Sequence, residues 1–326
     1  MPDTQPAAPP QPTDRHWGVR SSVMLGIALK VASVFVFVGM SAIIKSAEGV
    51  PVGQLVFFRS AFALVPVAIF LAWRRELVDG FKTSRLGGHI LRGVLGTSAM
   101  FLIFFGLTRL PLPEATTIHY ATPLFVVIFS ALFLHETIRV FRWTAVLVGL
   151  LGVLIIMWPR LTVFSGGTAV MGPETLGALA AFTACAVSAS AQLTVRTLVK
   201  TERSATIVIY FSITSAVIGL LTIPFGWVPL SPAEFAILAG AGIAGGFGQI
   251  LLTESYRHAE ISTIAPFEYS SMVLSILVGL IVFGEIPTPE MLVGGTIVVL
   301  AGIFIIYREH MLGLDRTKSR KVSSPA

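Results

Sequence analysis

Charge and cysteine are what this 326-residue chain has least of. Asp, Glu, Lys and Arg make up only 12% of it against 54% apolar residues, a balance that a water-soluble domain cannot hide in its interior. The single cysteine, Cys185, excludes an intrachain disulfide and a cysteine metal cluster, and reads as a small packing residue. The first residues lack an apolar core, so they are no signal peptide; rich in Pro, Gln and Asp, residues 1–21 read as a disordered tail. Short segments of alternating polarity are missing too, which excludes a membrane β-barrel.

What the chain has instead is long apolar runs, at 22–45, 52–73, 88–107, 113–134, 143–158, 174–199, 205–227, 233–256, 261–283 and 291–307. About 20 residues of α-helix cross about 30 Å of hydrocarbon, so the runs predict an all-α integral membrane protein of ten transmembrane helices. The run at 143–158 is short, and a tilted or peripheral position is expected for it. Gly93 and Gly242, Gly96 and Gly245, Tyr120 and Tyr269, and Glu136 and Glu285 all match at one offset of 149 residues. The chain therefore divides into a first repeat of five spans at 22–158, a linker at 159–173, a second repeat of five at 174–308, and a basic tail at 309–326. An odd number of crossings makes the second unit enter the bilayer from the opposite side, which produces an inverted repeat.

Orientation follows from Lys and Arg. Arg15, Arg20, Arg74, Arg75, Lys82, Arg85, Arg139, Arg142, Arg196, Lys200, Arg203, Arg257 and the cluster from Arg308 to Lys321 fall on one side of the predicted bilayer. The other side keeps only Lys45, Arg109 and Arg160. This asymmetry predicts both termini in the cytoplasm and a place in the cytoplasmic (inner) membrane. It also accounts for the net charge of +6, which gives no reason to invoke nucleic acid.

Helices in lipid associate where small side chains let backbones approach. Gly93 and Gly96 mark the third span, Gly242, Gly245, Gly246 and Gly248 the eighth, and Ala180, Ala184 and Ser188 the sixth. These spans are expected near the centre.

The duplication and several local patterns together resemble the EamA-type branch of the drug/metabolite transporter superfamily. The patterns are Phe58-Arg59, the run from Leu110 to Pro123, His135-Glu136, Gly149 with Gly152, Ala259 to Pro266, Gly284-Glu285 and Gly302. The resemblance covers nearly all of residues 25–307. It implies ten helices around a central cavity reached in turn from the two sides, and a secondary transporter of small organic metabolites. Members of similar style are described as riboflavin or S-adenosylmethionine importers and as amino-acid exporters. A vitamin-like planar molecule such as riboflavin ranks first here; a non-transporting sensor and an intramembrane enzyme are the readings from other classes.

Charges inside a bilayer cost enough that each requires a partner, a wet cavity or a route to the interface. Lys30, Arg59 and Glu268 each lie about two turns into their spans. Thr116, His119, Tyr120 and Pro123 share one helical face, as do Ala265, Glu268, Tyr269 and Met272. Two arrangements satisfy these groups. Lys30, Arg59, His119, Tyr120, Glu268 and Tyr269 line a substrate-binding cavity, or Lys30 or Arg59 pairs permanently with Glu268 and locks the bundle. Arg92, about a turn from the membrane surface, is expected to snorkel outward. Pro123 and Pro266 predict bends in the fourth and ninth spans, and Glu136 and Glu285, which end those spans, read as interfacial structure.

No enzyme signature survives inspection. His135-Glu136-Thr137-Ile138-Arg139 opens like a zinc-protease motif but has arginine where the second histidine belongs. No cofactor or metal is called for, and no nucleotide-binding motif is present, so movement is by gradient or exchange. Proton coupling, if used, falls to Glu268 with His119, the groups placed to titrate from either side. The oligomeric state is not written in any motif.

Overall fold

A computed structural model describes residues 15–47, 49–75, 78–134, 140–161, 172–198, 201–259 and 264–322, and every regular element among them is helical. The apolar runs become α1 (Arg15–Ser46), α2 (Val52–Trp73), α3 (Leu86–Leu107), α4 (Leu112–His119), α5 (Thr122–Leu134) and α6 (Val140–Met157). The second half supplies α7 (Pro173–Leu198), α8 (Ser204–Leu220), α9 (Pro232–His258), α10 (Ser270–Phe283) and α11 (Pro289–Val322). Pro51 and Pro111 precede α2 and α4, where a missing N–H loses no helical hydrogen bond. Ser231 and Glu234 form a reciprocal capping box at the start of α9, and Gly284, with φ 67°, ends α10.

Nine stretches of the described residues are long and apolar enough to cross a membrane, and the shorter Ala205–Leu220 accompanies them. The fourth and ninth are discontinuous. The fourth consists of α4 and α5 separated at Tyr120–Ala121; the ninth opens with a 3-10 turn, Ala265–Tyr269, and continues as α10. The two interruptions fall on the repeat-related tyrosines, beside Pro123 and Pro266.

Three details differ from the sequence reading. The seventh span stops at Leu220, because Pro224 and Gly226, the latter at φ 96°, turn the chain despite its continuing apolarity. The tails are helical at 15–21 and 309–322, where α1 and α11 run on past their apolar cores; extending a formed helix is far easier than starting one. The short fifth span is α6, a packed partner of α11. His135, Glu136 and Arg139 lie outside the described residues, as does the linker from 162 to 171.

The packing has the symmetry that inverted halves require. The most extensive contacts are α1 with α9 and α3 with α7, which exchange when the halves are swapped; α2 with α8, α6 with α11, and the fourth span with the ninth map onto themselves. Small residues set the approach. A Cβ at Gly93 would stand 2.6 Å from Thr214 of α8, and one at Gly246 would stand 2.6 Å from the Ala63 carbonyl of α2. The third and eighth spans are therefore tied through glycine to neighbours in the opposite half, as their composition predicts. Cys185 is fully buried, with the carbonyls of Ile118 and Ala181 at 3.3 and 3.2 Å from its sulfur to accept its one S–H proton.

Candidate substrate-binding site

Lys30 lies well inside α1 and is 3% exposed. A buried ammonium in this setting needs a counter-ion, and Lys30 Nζ finds it in Glu268 Oε2. Glu268 stands on the 3-10 turn of the ninth span, and its side chain remains 50% exposed. The pair is thus lopsided: the cation is enclosed while the carboxylate faces open space. His119, the last residue of α4, lies within electrostatic reach of Glu268.

Beside them the repeat-related tyrosines meet. Tyr120 and Tyr269 pack edge to face with ring centroids 5.1 Å apart and planes at 69°. The Tyr120 hydroxyl shares a hydrogen bond of 2.5 Å with Ser271 Oγ, and the Tyr269 hydroxyl rests against Gly302, where any Cβ would collide with it. The broken spans therefore touch at their breaks. The structure brings together Lys30, His119, Tyr120, Glu268 and Tyr269; of the two cations offered to Glu268, Lys30 takes it.

Arg59 belongs to a different group. It is 8% exposed, its guanidinium carbon lies 5.9 Å from the centroid of Phe211, and neither a hydrogen bond nor an ion pair holds it among the described residues. Gly245 of α9 faces it, with Nε 3.4 Å from where a Cβ would stand. Arg92 occupies the same ring from α3 at 4.2 Å. The expected snorkelling does not occur: the guanidinium turns inward, with Nε and Nη1 buried and without hydrogen-bond partners. The absence of a side chain at Gly96, one turn along, leaves room for this turn, and the face of Phe211 receives the cation. Phe211 was not a sequence candidate.

The two ends of the bundle are built differently. At the end opposite the termini, Lys45 Nζ stands 2.9 Å from Glu285 Oε1 and donates to the Leu110 carbonyl at 2.5 Å. Glu285 Oε2 accepts the Leu112 N–H at 2.8 Å, so one carboxylate joins the ends of α1 and α10 to the start of α4. Arg160 clasps Glu114 through Nε and Nη2, at 2.9 and 2.8 Å, and reaches Glu174 at 2.5 Å.

At the end carrying the termini, Arg74 and Glu254 stand 3.6 Å apart. Glu202 is partly desolvated, which opposes ionisation, yet the Ser84 N–H and hydroxyl donate to it at 3.0 and 2.9 Å and hold its carboxyl below the usual carboxylate range. His89 Nε2 lies 3.6 Å from the same carboxylate, its ring stacked on Tyr210. A cavity of about 400 Å³, lined by Val67, Phe70, Arg74, Val208, Gln249 and Glu254, sits between α2, α8 and α9 at this end. None of the predicted site residues lines it. Arg59 is on the same α2 face as Val67, two turns or about 12 Å deeper. No group of His, Cys, Asp or Glu among the described residues is arranged to hold a metal.

This architecture has recognisable relatives. The chain is 31% identical over 285 residues to the pseudopaline exporter CntI of Pseudomonas aeruginosa (strain UCBPP-PA14), covering 85% of this chain and 94% of that protein. It is 30% identical to the S-adenosylmethionine uptake transporter of Rickettsia felis, over 78% of this chain and 83% of the relative. With the riboflavin transporter of Vibrio cholerae it shares 27%, over 79% and 83% respectively. One solved crystal structure superposes with a TM-score of 0.60 at 18% identity, covering 85% of this chain and 95% of the other, a likeness of fold alone. The three named relatives are transporters, and a profile of the EamA-like transporter family matches residues 24–158 and 175–308, the two halves whose broken helices meet at Tyr120 and Tyr269. The chain is an integral membrane protein of the EamA-like transporter family, a small-molecule transporter and not an enzyme.

Proposed function

We propose that this protein is a secondary transporter that carries a vitamin-sized organic metabolite across the cytoplasmic membrane by alternating access, with Lys30, His119, Tyr120, Glu268 and Tyr269 at its central site. The repeats at 22–158 and 174–308 are the moving units, joined by an external linker at 159–173. The excess of Lys and Arg around the terminal end supports a cytoplasmic location for both termini. On that orientation the Lys45–Glu285 and Arg160–Glu114 ties close the external end, while the cavity beside Arg74 faces the cytoplasm.

The observation that carries the reading is the lopsided pair. A carboxylate half open to space, on a broken span, is bound to an ammonium that is almost wholly enclosed. Protonation of Glu268 releases Lys30 and alters the contact between α1 and the ninth span, which is how a proton gradient would bias the two access states. The curated relatives are named for three unlike solutes, so the solute has to be found by assay.

Proteoliposomes containing only this protein, offered labelled riboflavin, S-adenosylmethionine and amino acids with and without an imposed pH gradient, test the reading. Accumulation of one solute class is expected. Glu268→Gln should abolish pH-driven accumulation and leave solute exchange. Equal loss of both would remove proton coupling from Glu268, and movement of no solute in any arm would remove the transport assignment of this site.

A further inference from the structure

We infer that Arg59 and Arg92 form an oxyanion subsite that binds the carboxylate or phosphate group of the transported solute; this deepens the transport reading above and rests on it. The two guanidinium groups share Phe211, at 5.9 and 4.2 Å, and no carboxylate among the described residues lies within ion-pair distance of either. A buried cation without a counter-ion is costly, and two near one ring repel each other as well. A polarisable ring offsets only a fraction of that cost. Elsewhere the same chain pairs its cations with carboxylates: Lys30 with Glu268, Lys45 with Glu285, and Arg160 with Glu114 and Glu174. Arg109, stacked on Phe105, has no carboxylate among the described residues but donates to the Phe105 carbonyl and the Thr108 hydroxyl; Arg59 and the Nε and Nη1 of Arg92 have neither kind of partner there.

The donors suit an anion with two oxygens. Nε and Nη1 of Arg92 are buried and unbonded, and Arg59 brings a second planar fork. Guanidinium forks match carboxylate and phosphate edges, with charge-assisted bonds. Glycine stands against both: the Arg92 guanidinium fills the place a Cβ at Gly96 would take, and Arg59 Nε lies 3.4 Å from where a Cβ at Gly245 would stand, beside Met40 Sδ. The cavity lined by Val67 and Arg74 lies about 12 Å from Arg59 along α2, on the side of the termini. Lys30, already neutralised by Glu268, offers an anion far less.

The subsite makes an unusual demand on its variants. Removing an uncompensated buried charge should stabilise the empty protein, whereas removing an arginine with a structural role should destabilise it. The full-length protein in detergent is tested by thermal unfolding at constant ionic strength, with sodium succinate, sodium phosphate or sodium chloride as the probe. Succinate or phosphate is expected to raise Tm, and chloride is not. Arg59→Gln and Arg92→Gln should each raise Tm without ligand and weaken the oxyanion by about tenfold or more, the loss of one charge-assisted contact. Arg92→Lys should bind with intermediate affinity.

A lower Tm in both ligand-free glutamine variants would show the arginines to be structural and overturn the inference. So would a response to chloride equal to that of the oxyanions, or unchanged oxyanion affinity in both variants. Whichever of succinate and phosphate binds more tightly identifies the group. If oxyanions bind with the expected arginine dependence but no solute crosses in proteoliposomes, the subsite stands and the transport reading fails. If solutes cross equally well in the wild type and both glutamine variants, transport stands and the subsite fails.

Discussion

Replacing Glu285 by Gln should open the external end of the bundle. The carboxylate has an ammonium 2.9 Å away and accepts the Leu112 N–H at 2.8 Å. The side chains of Lys45 and Glu285 are 13% and 18% exposed, so the pair is neither a surface bridge nor a fully buried one. Exposed pairs contribute at most about 1 kcal/mol, while deleting one partner of a buried pair costs about 3–5 kcal/mol. Glutamine still accepts the Leu112 N–H, so only the charge is lost, and about 2 kcal/mol is the reasonable middle. If the pair forms only when this end is closed, that change shifts the closed-to-open ratio about 30-fold.

The assay is labelling of Thr116→Cys, one turn inside α4, by a membrane-impermeant maleimide in a Cys185→Ala background. Glu285→Gln should accelerate labelling from the external side by about 30-fold, and by at least fivefold if the pair is worth only about 1 kcal/mol. Lys45→Ala should act in the same direction, and the double variant should exceed either single one only slightly, because both remove one contact. An unchanged rate in both single variants, or full additivity in the double, would refute the reasoning.

Glu114→Gln should lower Tm in detergent, the loss of a two-pronged contact to Arg160 costing about 2–3 kcal/mol, with Glu174 retaining part of the hold. Gly246→Leu should lower Tm and folded yield, since even a Cβ meets the Ala63 carbonyl at 2.6 Å and overpacking costs about 1–3 kcal/mol. Glu202 has a depressed folded pKa, so its contribution is complete above the ordinary carboxylate range and is lost as pH falls through the folded value. The Tm difference between the wild type and Glu202→Gln should therefore shrink as the buffer is taken from about pH 6 downward; His89, which faces the same carboxylate, is replaced by Gln in both proteins to keep its own titration out of the comparison. A difference that grows on acidification would contradict the assignment.

The spans and their inversion were legible because run length and repeat offset are properties of the chain alone. The early stop of α8 was legible too, though apolarity hides it: Pro224 and Gly226 end the helix before Trp227. Which cation takes Glu268 was not, because Lys30 and Arg59 lie at comparable depths and the choice belongs to how α1 and α2 sit against the ninth span. Depth also misled at Arg92. A side chain one turn from the surface reaches outward by default, and only the vacancy at Gly96 and the ring of Phe211, distant in sequence, turn it inward.

The segments before the two tyrosines are wound differently. In the first half α4 is a regular helix, while in the second the five residues Ala265–Tyr269 are coiled more tightly as a 3-10 turn. Five residues advance about 10 Å in that form and about 7.5 Å in an α-helix. Were the halves to trade winding, the Ala265 end of that segment would draw about 2.5 Å toward Tyr269, while the matching stretch of α4 lengthened by a like amount. A coil that slackens on one side as its twin tightens on the other behaves as a balance beam, with the meeting point of the tyrosines as its pivot.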